Sequence, residues 1–287
     1  MRWFVTGARG QLGTALVRYL LARDDEVRGV GSELDVADAG AVAAALDSGA
    51  TPDVLVNAAA FTKVDRCETE PERAHRVNAL APGLLARLAG ERGISLVHVS
   101  TDYVFDGRAG RPYRESDPPN PQGSYGRTKL AGERAVFEAL PEALIVRTSW
   151  VFGHGRNFVA AILEHARSGK ALRVVADQHG RPTSAWDLAQ GIVSLVERRV
   201  TGLYHLANQG QATWWEVARV ALDHVGLREV EVEPVATAAL GLPAPRPLRS
   251  VLDLDKAARA GVRLRLWPEA LAEHLDAGFD VNSGERS

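Results

Sequence analysis

Cysteine is almost missing from this chain. Cys67 is the only one in 287 residues, which excludes an intramolecular disulfide and any CxxC metal site. A reducing, cytoplasmic setting is therefore expected. Dense Lys/Arg runs are missing as well. The formal net charge is −2, so the basic footprint that nucleic acid demands is lacking, and no nucleic-acid partner is expected. No stretch approaches the ~20 apolar residues of a membrane span, so no membrane partner is expected either. The opening MRWFVTGARG runs straight into a strand and a glycine turn, and is expected to leave no room for a signal peptide. Internal repeats and low-complexity tracts are lacking. His98, His179 and His205 show no metal-ligand spacing, and no metal is expected. Cys67, read as a loop residue without a base partner, is taken as inert.

What is present is a regular alternation. Hydrophobic residues make up 46% and charged residues 24%, an ordinary globular balance for one large domain or a domain with a smaller lobe. Strands are expected at Arg2 to Thr6, Glu26 to Val30, Asp53 to Asn57, Ile94 to Ser100 and Leu144 to Thr148. Helices are expected from Gln11 to Arg23, Ala37 to Leu46 and Pro71 to Arg92, the last with proline at its start and Gly93 as its stop. Continuously apolar strands separated by helices imply a parallel sheet covered on both faces, hence an α/β, doubly wound Rossmann-like fold. Residues 1–150 read mainly as a nucleotide-binding core. Residues 151–287 read mainly as a small interleaved C-terminal substrate lobe, with segments returning to the core. Tyr103 to Gly123, rich in Gly, Pro, Arg and Asp, reads as a functional loop. Leu242 to Pro247 reads as an ordered proline-rich turn, and VNSGERS as a frayed end.

The first strand ends in Thr6-Gly7-Ala8-Arg9-Gly10-Gln11-Leu12-Gly13. A G-x-x-G-x-x-G turn after a first strand, opening a helix, lets backbone N–H groups approach a pyrophosphate at the helix N-terminus. At the end of the second strand stand Val30-Gly31-Ser32, with Arg9 and Arg28 nearby. A small residue beside an arginine leaves room and positive charge for a 2′-phosphate and favours NADPH, although Glu33, one residue beyond Ser32, is a candidate for the acid that would favour NAD. Asp35 is expected near the adenine, with Asp38 at a helix entry.

The fourth strand ends Ser100-Thr101-Asp102-Tyr103, and the next helix begins Tyr125-Gly126-Arg127-Thr128-Lys129. Tyr125 and Lys129 stand i, i+4 on one helix face, near the strand ends where open α/β sheets bind ligands. Reducing a ketone needs hydride at carbon and a proton at the developing alkoxide. A tyrosine has an unperturbed pKa near ~10, and a nearby ammonium is expected to lower it. Matching it to the working pH is worth ~10²–10⁴-fold in rate. Thr101 supplies a hydroxyl to hold and polarise the ketone oxygen. Trp214-Trp215 is expected to open a helix after Thr213, with core packing or capping as the default role and sugar stacking as the lesser option.

These residues resemble the extended short-chain dehydrogenase/reductase family and, within it, the dTDP-4-dehydrorhamnose reductase subfamily. The likeness rests on Val56-Asn57-Ala58-Ala59-Ala60, Lys63-Val64-Asp65, Ser100-Thr101-Asp102-Tyr103-Val104-Phe105, and the run from Tyr125 to Glu133. It rests also on Arg147-Thr148-Ser149-Trp150-Val151 and on Asp177-Gln178…Gly180…Pro182-Thr183, and it weakens after about Leu206. The resemblance implies Tyr125 as proton donor, Lys129 as its electrostatic partner and Thr101 at the reacting oxygen. Asp102 and Trp150 would line the sugar site, and Arg246 would pair with the nucleotide diphosphate. Gly10, Gln11 and Leu12 would meet the pyrophosphate, Asp35 and Val36 the adenine end, and Ala59, Ala60 and Phe61 the nicotinamide-side ribose. Gly7, Arg9, Gly13 and Ser32 complete the expected cofactor site. The implied cofactor is NADPH, with NADH often tolerated in such families. The implied substrate is a dTDP-linked 4-keto-6-deoxyhexose.

Some family members pair through acidic residues around a magnesium ion. No matching set is identified here, and homodimerisation stays open. Three activities remain: the 4-ketoreductase that makes dTDP-L-rhamnose, a sibling reductase of another deoxysugar pathway, and a non-catalytic nucleotide-binding regulatory subunit. A sugar-nucleotide epimerase is a fourth, lesser one.

Overall fold

The computed structural model describes residues 1–277; the frayed end expected over 281–287 lies outside the described residues. The first half runs β1 (Arg2–Thr6), α1 (Gln11–Leu21), β2 (Glu26–Val30), α2 (Ala39–Asp47), β3 (Val54–Asn57), α3 (Val64–Thr69), α4 (Pro71–His75), α5 (Ala81–Glu91), β4 (Ser95–Thr101), α6 (Ser124–Ala139) and β5 (Leu144–Thr148). The second half runs β6 (Val151–Phe152), α7 (Phe158–Arg167), β7 (Leu172–Val175), β8 (His179–Gly180), β9 (Thr183–Ser184), α8 (Ala185–Glu197), β10 (Gly202–His205), β11 (Ala212–Thr213), α9 (Trp214–His224), β12 (Val232–Val235), α10 (Asp255–Arg259) and α11 (Trp267–Asp276).

Six strands form one parallel sheet in the order β10-β5-β4-β3-β1-β2. The chain moves outward from β1 to β2, then returns to the other side of β1 with β3. That reversal opens a crevice at the carboxyl ends of β1 and β3, the place where a doubly wound sheet takes a ligand. The alternation of side chains along each strand serves two cores. Trp3, Val5, Val54, Val56, Val97 and Val146 pack with α1 and α8 on one face. Phe4, Leu55, Leu96 and Ile145 pack with α2, α5 and α6 on the other. A third core, built from Val159, Ile162, Leu163, Val174, Ala218, Leu222 and Leu271, holds the C-terminal lobe together. Residues of α8 and β10 leave that lobe and complete the main sheet, α8 against α1 and β10 beside β5.

The helix expected as one piece over Pro71 to Arg92 is interrupted. Arg76–Leu80 forms a π-helical turn between α4 and α5. Pro82 has no N–H to offer the Asn78 carbonyl one turn back, and a wider turn accommodates this. Gly93, with φ of 66°, ends the run as expected. The six-residue α3 was not anticipated, so Cys67 lies on a helix rather than in a loop, fully buried. Burial, with Glu68 and Glu70 nearby, pushes its thiol up to about 11, which suits an inert cysteine. The expected helix at Trp214 is α9, capped by a reciprocal Thr213–Glu216 box.

Candidate active site

A cleft of about 910 Å³ opens at the sheet's switch point. The glycine turn forms one end. Gly7 has φ of 68°, and a Cβ there would fall 2.7 Å from the Ala58 backbone; one on Gly13 would fall 2.1 Å from the Gly7 carbonyl oxygen. Neither position has room for a side chain, so turn, helix and β3 exit are drawn together. The first turn of α1 carries no acidic residue and its N-cap, Gly10, makes no side-chain cap bond, which leaves a positive helix end facing the cleft. Gly7, Arg9, Gly10, Gln11, Leu12 and Gly13 all line it. Gln11 Oε1 and Thr148 Oγ1, both on cleft-lining residues, are buried without a protein partner. An orphaned amide oxygen and an orphaned hydroxyl beside a cradle that excludes Cβ atoms fit a polar, extended dinucleotide.

Ser32, Asp35 and Val36 line the far end, and Ala59 and Ala60 the middle, as expected. Arg76, which the sequence had not marked, lies across from Asp35 and pairs with it there. The Ala37 N–H, then Arg76, hold the Asp35 carboxyl below its ordinary range. Arg9 remains at the cleft, 3.3 Å from Glu33, and Glu33 folds back to accept from the Gly31 N–H at 2.7 Å. Arg28 is elsewhere: its guanidinium donates to the carbonyls of Ala45, Leu46, Ser48 and Ala50 around the C-terminus of α2. The 2′-phosphate role suggested for Arg28 is thereby corrected; of the two arginines the sequence offered, Arg9 is the one that lines the cleft.

Two expected site residues do not line the cleft. Phe61 packs its ring with Cys67 and Ala74, under Arg73. Its backbone is clamped by the buried Asn78 side chain, which accepts from the Phe61 N–H at 2.8 Å and donates to its carbonyl at 3.0 Å. Phe61 thus anchors the segment whose neighbours, Ala59, Ala60 and Thr62, face the cleft. Arg246 forms a two-pronged ion pair with Asp65, at 3.1 and 2.8 Å, and donates to the Ala244 carbonyl. Its charge is compensated there, behind the lining but within electrostatic reach of Tyr103 on the cleft wall.

Thr101, Asp102, Tyr125 and Lys129 come from separate stretches and line the same cleft. Register explains part of this: Thr101 ends β4 beside Thr148 of β5, and α6 packs across β4. Burial raises the Tyr125 phenol well above its ordinary value, the Thr101 hydroxyl working against it and Asp102 and Tyr103 with it. Lys129 is 2% exposed, and burial lowers its ammonium to about 8, opposed by Glu133. Its Nζ donates to the Val99 carbonyl at 2.7 Å. The expected lowering of Tyr125 by Lys129 is not found in this state: desolvation of the phenol dominates, and the ammonium is engaged with β4. The result is a protonated phenol, the form a proton donor needs.

Asp102 is buried and its carboxyl is raised to about 6 by that burial, against bonds from Ser250 and Thr101. Ser250 Oγ and Thr101 Oγ1 donate to its two oxygens, the latter at 3.1 Å. Ser250 lies 148 residues away, and nothing local in the sequence could have singled it out. The opposite wall is aromatic. Trp150 and Trp214 stack with ring centroids 3.8 Å apart and planes 8° from parallel, and both line the cleft. Trp150 has φ of 50°, a left-handed conformation that costs a bulky residue about 1–3 kcal/mol. Gly180 packs against its indole so closely that a Cβ would sit 2.4 Å from the ring. Trp214 is the residue that sequence reading undervalued, because its partner is distant in the chain.

The family model described as RmlD substrate binding domain matches residues 1–279. A protein of Streptomyces antibioticus named "Probable dTDP-4,6-dihydroxy-2-methyloxan-3-one 4-ketoreductase" is 45% identical over 278 residues, 95% of this chain and 94% of that one. A dTDP-4-dehydrorhamnose reductase of Streptomyces griseus is 43% identical over 285 residues, 96% and 93% of the two chains. The crystal structure of dTDP-4-dehydrorhamnose reductase from Bacillus anthracis in complex with NADP superposes with a TM-score of 0.92 at 33% identity, covering 96% of this chain and 99% of that one. Full-length coverage, identity well above 30% and a shared fold show that this chain belongs to the RmlD family, that of the dTDP-4-dehydrorhamnose reductases.

Proposed function

We propose that the protein is an NADPH-dependent ketoreductase that converts dTDP-4-dehydro-β-L-rhamnose to dTDP-L-rhamnose by reducing C4. The observation that carries this reading is the presence of Thr101, Tyr125 and Lys129 in one cleft with the glycine cradle and its bare helix end. NADPH bound in that cradle supplies the hydride. Backbone N–H groups at Gly10 to Leu12 would hold its pyrophosphate, Arg9 its 2′-phosphate, and Ala59 and Ala60 would border the nicotinamide-side ribose.

The remaining chemistry belongs to this chain. The Tyr125 phenol, kept protonated by burial, gives its proton to the C4 oxygen as charge develops there. Thr101 holds that oxygen by turning its single hydroxyl proton from Asp102 Oδ1 onto the substrate, while Ser250 keeps donating to the other carboxyl oxygen. Lys129, lowered to about 8, restores the proton to Tyr125 afterwards. The Trp150–Trp214 wall offers apolar surface to a sugar face, and its deoxy methyl group in particular. Residues 1–150 supply most of the cofactor side and residues 151–277 most of the substrate side, with α8 and β10 returning to the sheet. A cytoplasmic location goes with this reading.

A sibling reductase acting on another dTDP-linked 4-keto-6-deoxyhexose is the second reading, favoured by the 45% identical relative whose name gives a different ketoreductase substrate. Both are separated by following NADPH absorbance with dTDP-4-dehydro-β-L-rhamnose and identifying the product by NMR. The expected product is dTDP-L-rhamnose. NADPH left unoxidised with dTDP-4-dehydro-β-L-rhamnose but oxidised with an isomeric 4-keto sugar would establish the sibling; no turnover of either would overturn the enzyme reading.

A further inference from the structure

Beneath the cleft lies a row of buried polar side chains that the mechanism above does not use. Thr6, Asn57 and His98 sit side by side in register across β1, β3 and β4. Each follows by two residues an apolar member of the core under α5 and α6, namely Phe4, Leu55 and Leu96. They therefore face the same helices. Thr6 and His98 are 0% exposed and Asn57 1%, so their hydrogen bonds must be satisfied within the protein.

Donor and acceptor roles along the row can be fixed. The Ala59 backbone N–H donates to Asn57 Oδ1 at 3.2 Å, and Thr6 Oγ1 donates to the same oxygen at 2.8 Å. A backbone N–H is always a donor, so this end of the Asn57 amide is its oxygen. Its nitrogen then faces His98 Nδ1 at 3.1 Å, and because Nδ2 only donates, Nδ1 has to accept. An imidazole with a bare Nδ1 is neutral and carries its proton on Nε2. Nε2 is 3.5 Å from Lys129 Nζ.

We infer that His98 is a positioning residue for the reduction: locked by Asn57 as its neutral Nε2–H tautomer, it presents a donor to Lys129 and so favours the amine over the ammonium. A charged ammonium has three protons and no lone pair for that N–H; the amine has one. Lys129 thus gives up a proton more readily than burial alone would allow. The inference rests on the ketoreductase reading, in which Lys129 returns a proton to Tyr125: the N–H bond at Nζ breaks, the proton joins the phenolate oxygen, and the lone pair left behind accepts from His98 Nε2–H. Burial acts in the same sense on both partners, holding His98 neutral and Lys129 low. The other ionisable groups around Lys129 are Tyr125 one turn before it, Glu133 one turn after it and Asp102 at the end of β4. Glu133 is neutralised by Arg147 of β5 through two bonds, 2.8 and 2.6 Å long.

Long-range ¹⁵N–¹H NMR on protein labelled at histidine, with His98 assigned by loss of its signals in His98→Gln, reads the tautomer directly in the wild type. A neutral ring protonated on Nε2 at pH 7 is expected; a proton on Nδ1, or an imidazolium, would overturn the inference. The second readout is the pH dependence of kcat/KM in His98→Phe, which keeps a ring and removes the donor. Its basic limb should move up by about one pH unit, with NADPH affinity within about threefold of wild type; a limb that stays in place with only a lower plateau would reduce His98 to packing. The NMR result does not depend on turnover. A wild type inactive toward keto sugars would remove the functional reading, whereas an Nδ1–H tautomer in an active enzyme would remove this inference alone.

Discussion

Replacing Gly13 by alanine tests the cofactor cradle at its tightest point. The new methyl carbon would fall 2.1 Å from the Gly7 carbonyl oxygen and 2.7 Å from the Ala8 Cα, both backbone atoms that no rotamer change can move. Close carbon–oxygen contacts lie near ~3.3 Å, so the turn and α1 must separate by about 1 Å. Overpacking of this kind costs roughly 1–3 kcal/mol, a fall in Tm of roughly 2–10 °C for a chain of this size. The effect on NADPH should be larger than on stability. N–H groups displaced by that distance lose their bonds to the pyrophosphate, each charge-assisted bond being worth about 1.5–3 kcal/mol. Loss of one or two predicts weakening of at least about tenfold for one bond and about 100-fold or more for two. Gly10→Ala is the graded comparison, since its methyl would lie 3.2 Å from the same oxygen; a shift of a few tenths of an ångström should cost less than about tenfold. Calorimetric or fluorescence titration with NADPH measures both, and differential scanning calorimetry the stability. If Gly13→Ala bound NADPH within about threefold of wild type, the reasoning from the cradle would be wrong.

Two further outcomes follow from the opposite end of the cleft. Asp102 has a folded value of about 6 against 3.8 unfolded, so the unfolded chain sheds this proton first as pH rises, and the native state loses stability across that window. The cost is full above about pH 6, and Asp102→Asn should lift it, by up to about 3 kcal/mol at pH 8. The advantage should shrink as pH falls toward 4, as followed by Tm at several pH values; an advantage independent of pH would contradict the assignment. Trp214→Ala removes one half of the aromatic wall, and should raise KM for the keto sugar by about tenfold while leaving KM for NADPH within about twofold. Equal effects on both substrates, measured by steady-state kinetics, would show that Trp214 only supports the fold.

Much of this was legible in the sequence where signals are local. Strands β1 and β5 begin and end where the apolar runs predict, because buried parallel strands are continuous apolar stretches bounded by turn residues; β2, a half-exposed edge strand, also keeps its expected bounds. The glycine turn and the Tyr125-to-Lys129 spacing likewise carry their geometry in consecutive residues. Legibility fails where a property belongs to the assembled fold. Arg28 and Arg246 read as anion-binding cations, yet one closes the end of α2 and the other pairs with Asp65; only tertiary contacts reveal that their charges are spoken for. Phe61 sits in the expected segment but turns its ring into a core. The π-helical turn at Arg76–Leu80 depends on Pro82 in a helix that periodicity alone reads as uninterrupted. Ser250 and Trp214 acquire roles through partners far along the chain. The protonation of Tyr125 shows the same limit, since i, i+4 spacing suggests an ammonium beside the phenol and only burial reveals which term prevails.

The most direct test of the account is turnover by Tyr125→Phe, with NADPH oxidation followed at saturating dTDP-4-dehydro-β-L-rhamnose. Removing the phenolic oxygen alone should lower kcat by about 10²–10⁴-fold, with NADPH affinity within about threefold of wild type. A variant that turns over at the wild-type rate would contradict the assignment of Tyr125 as the proton donor.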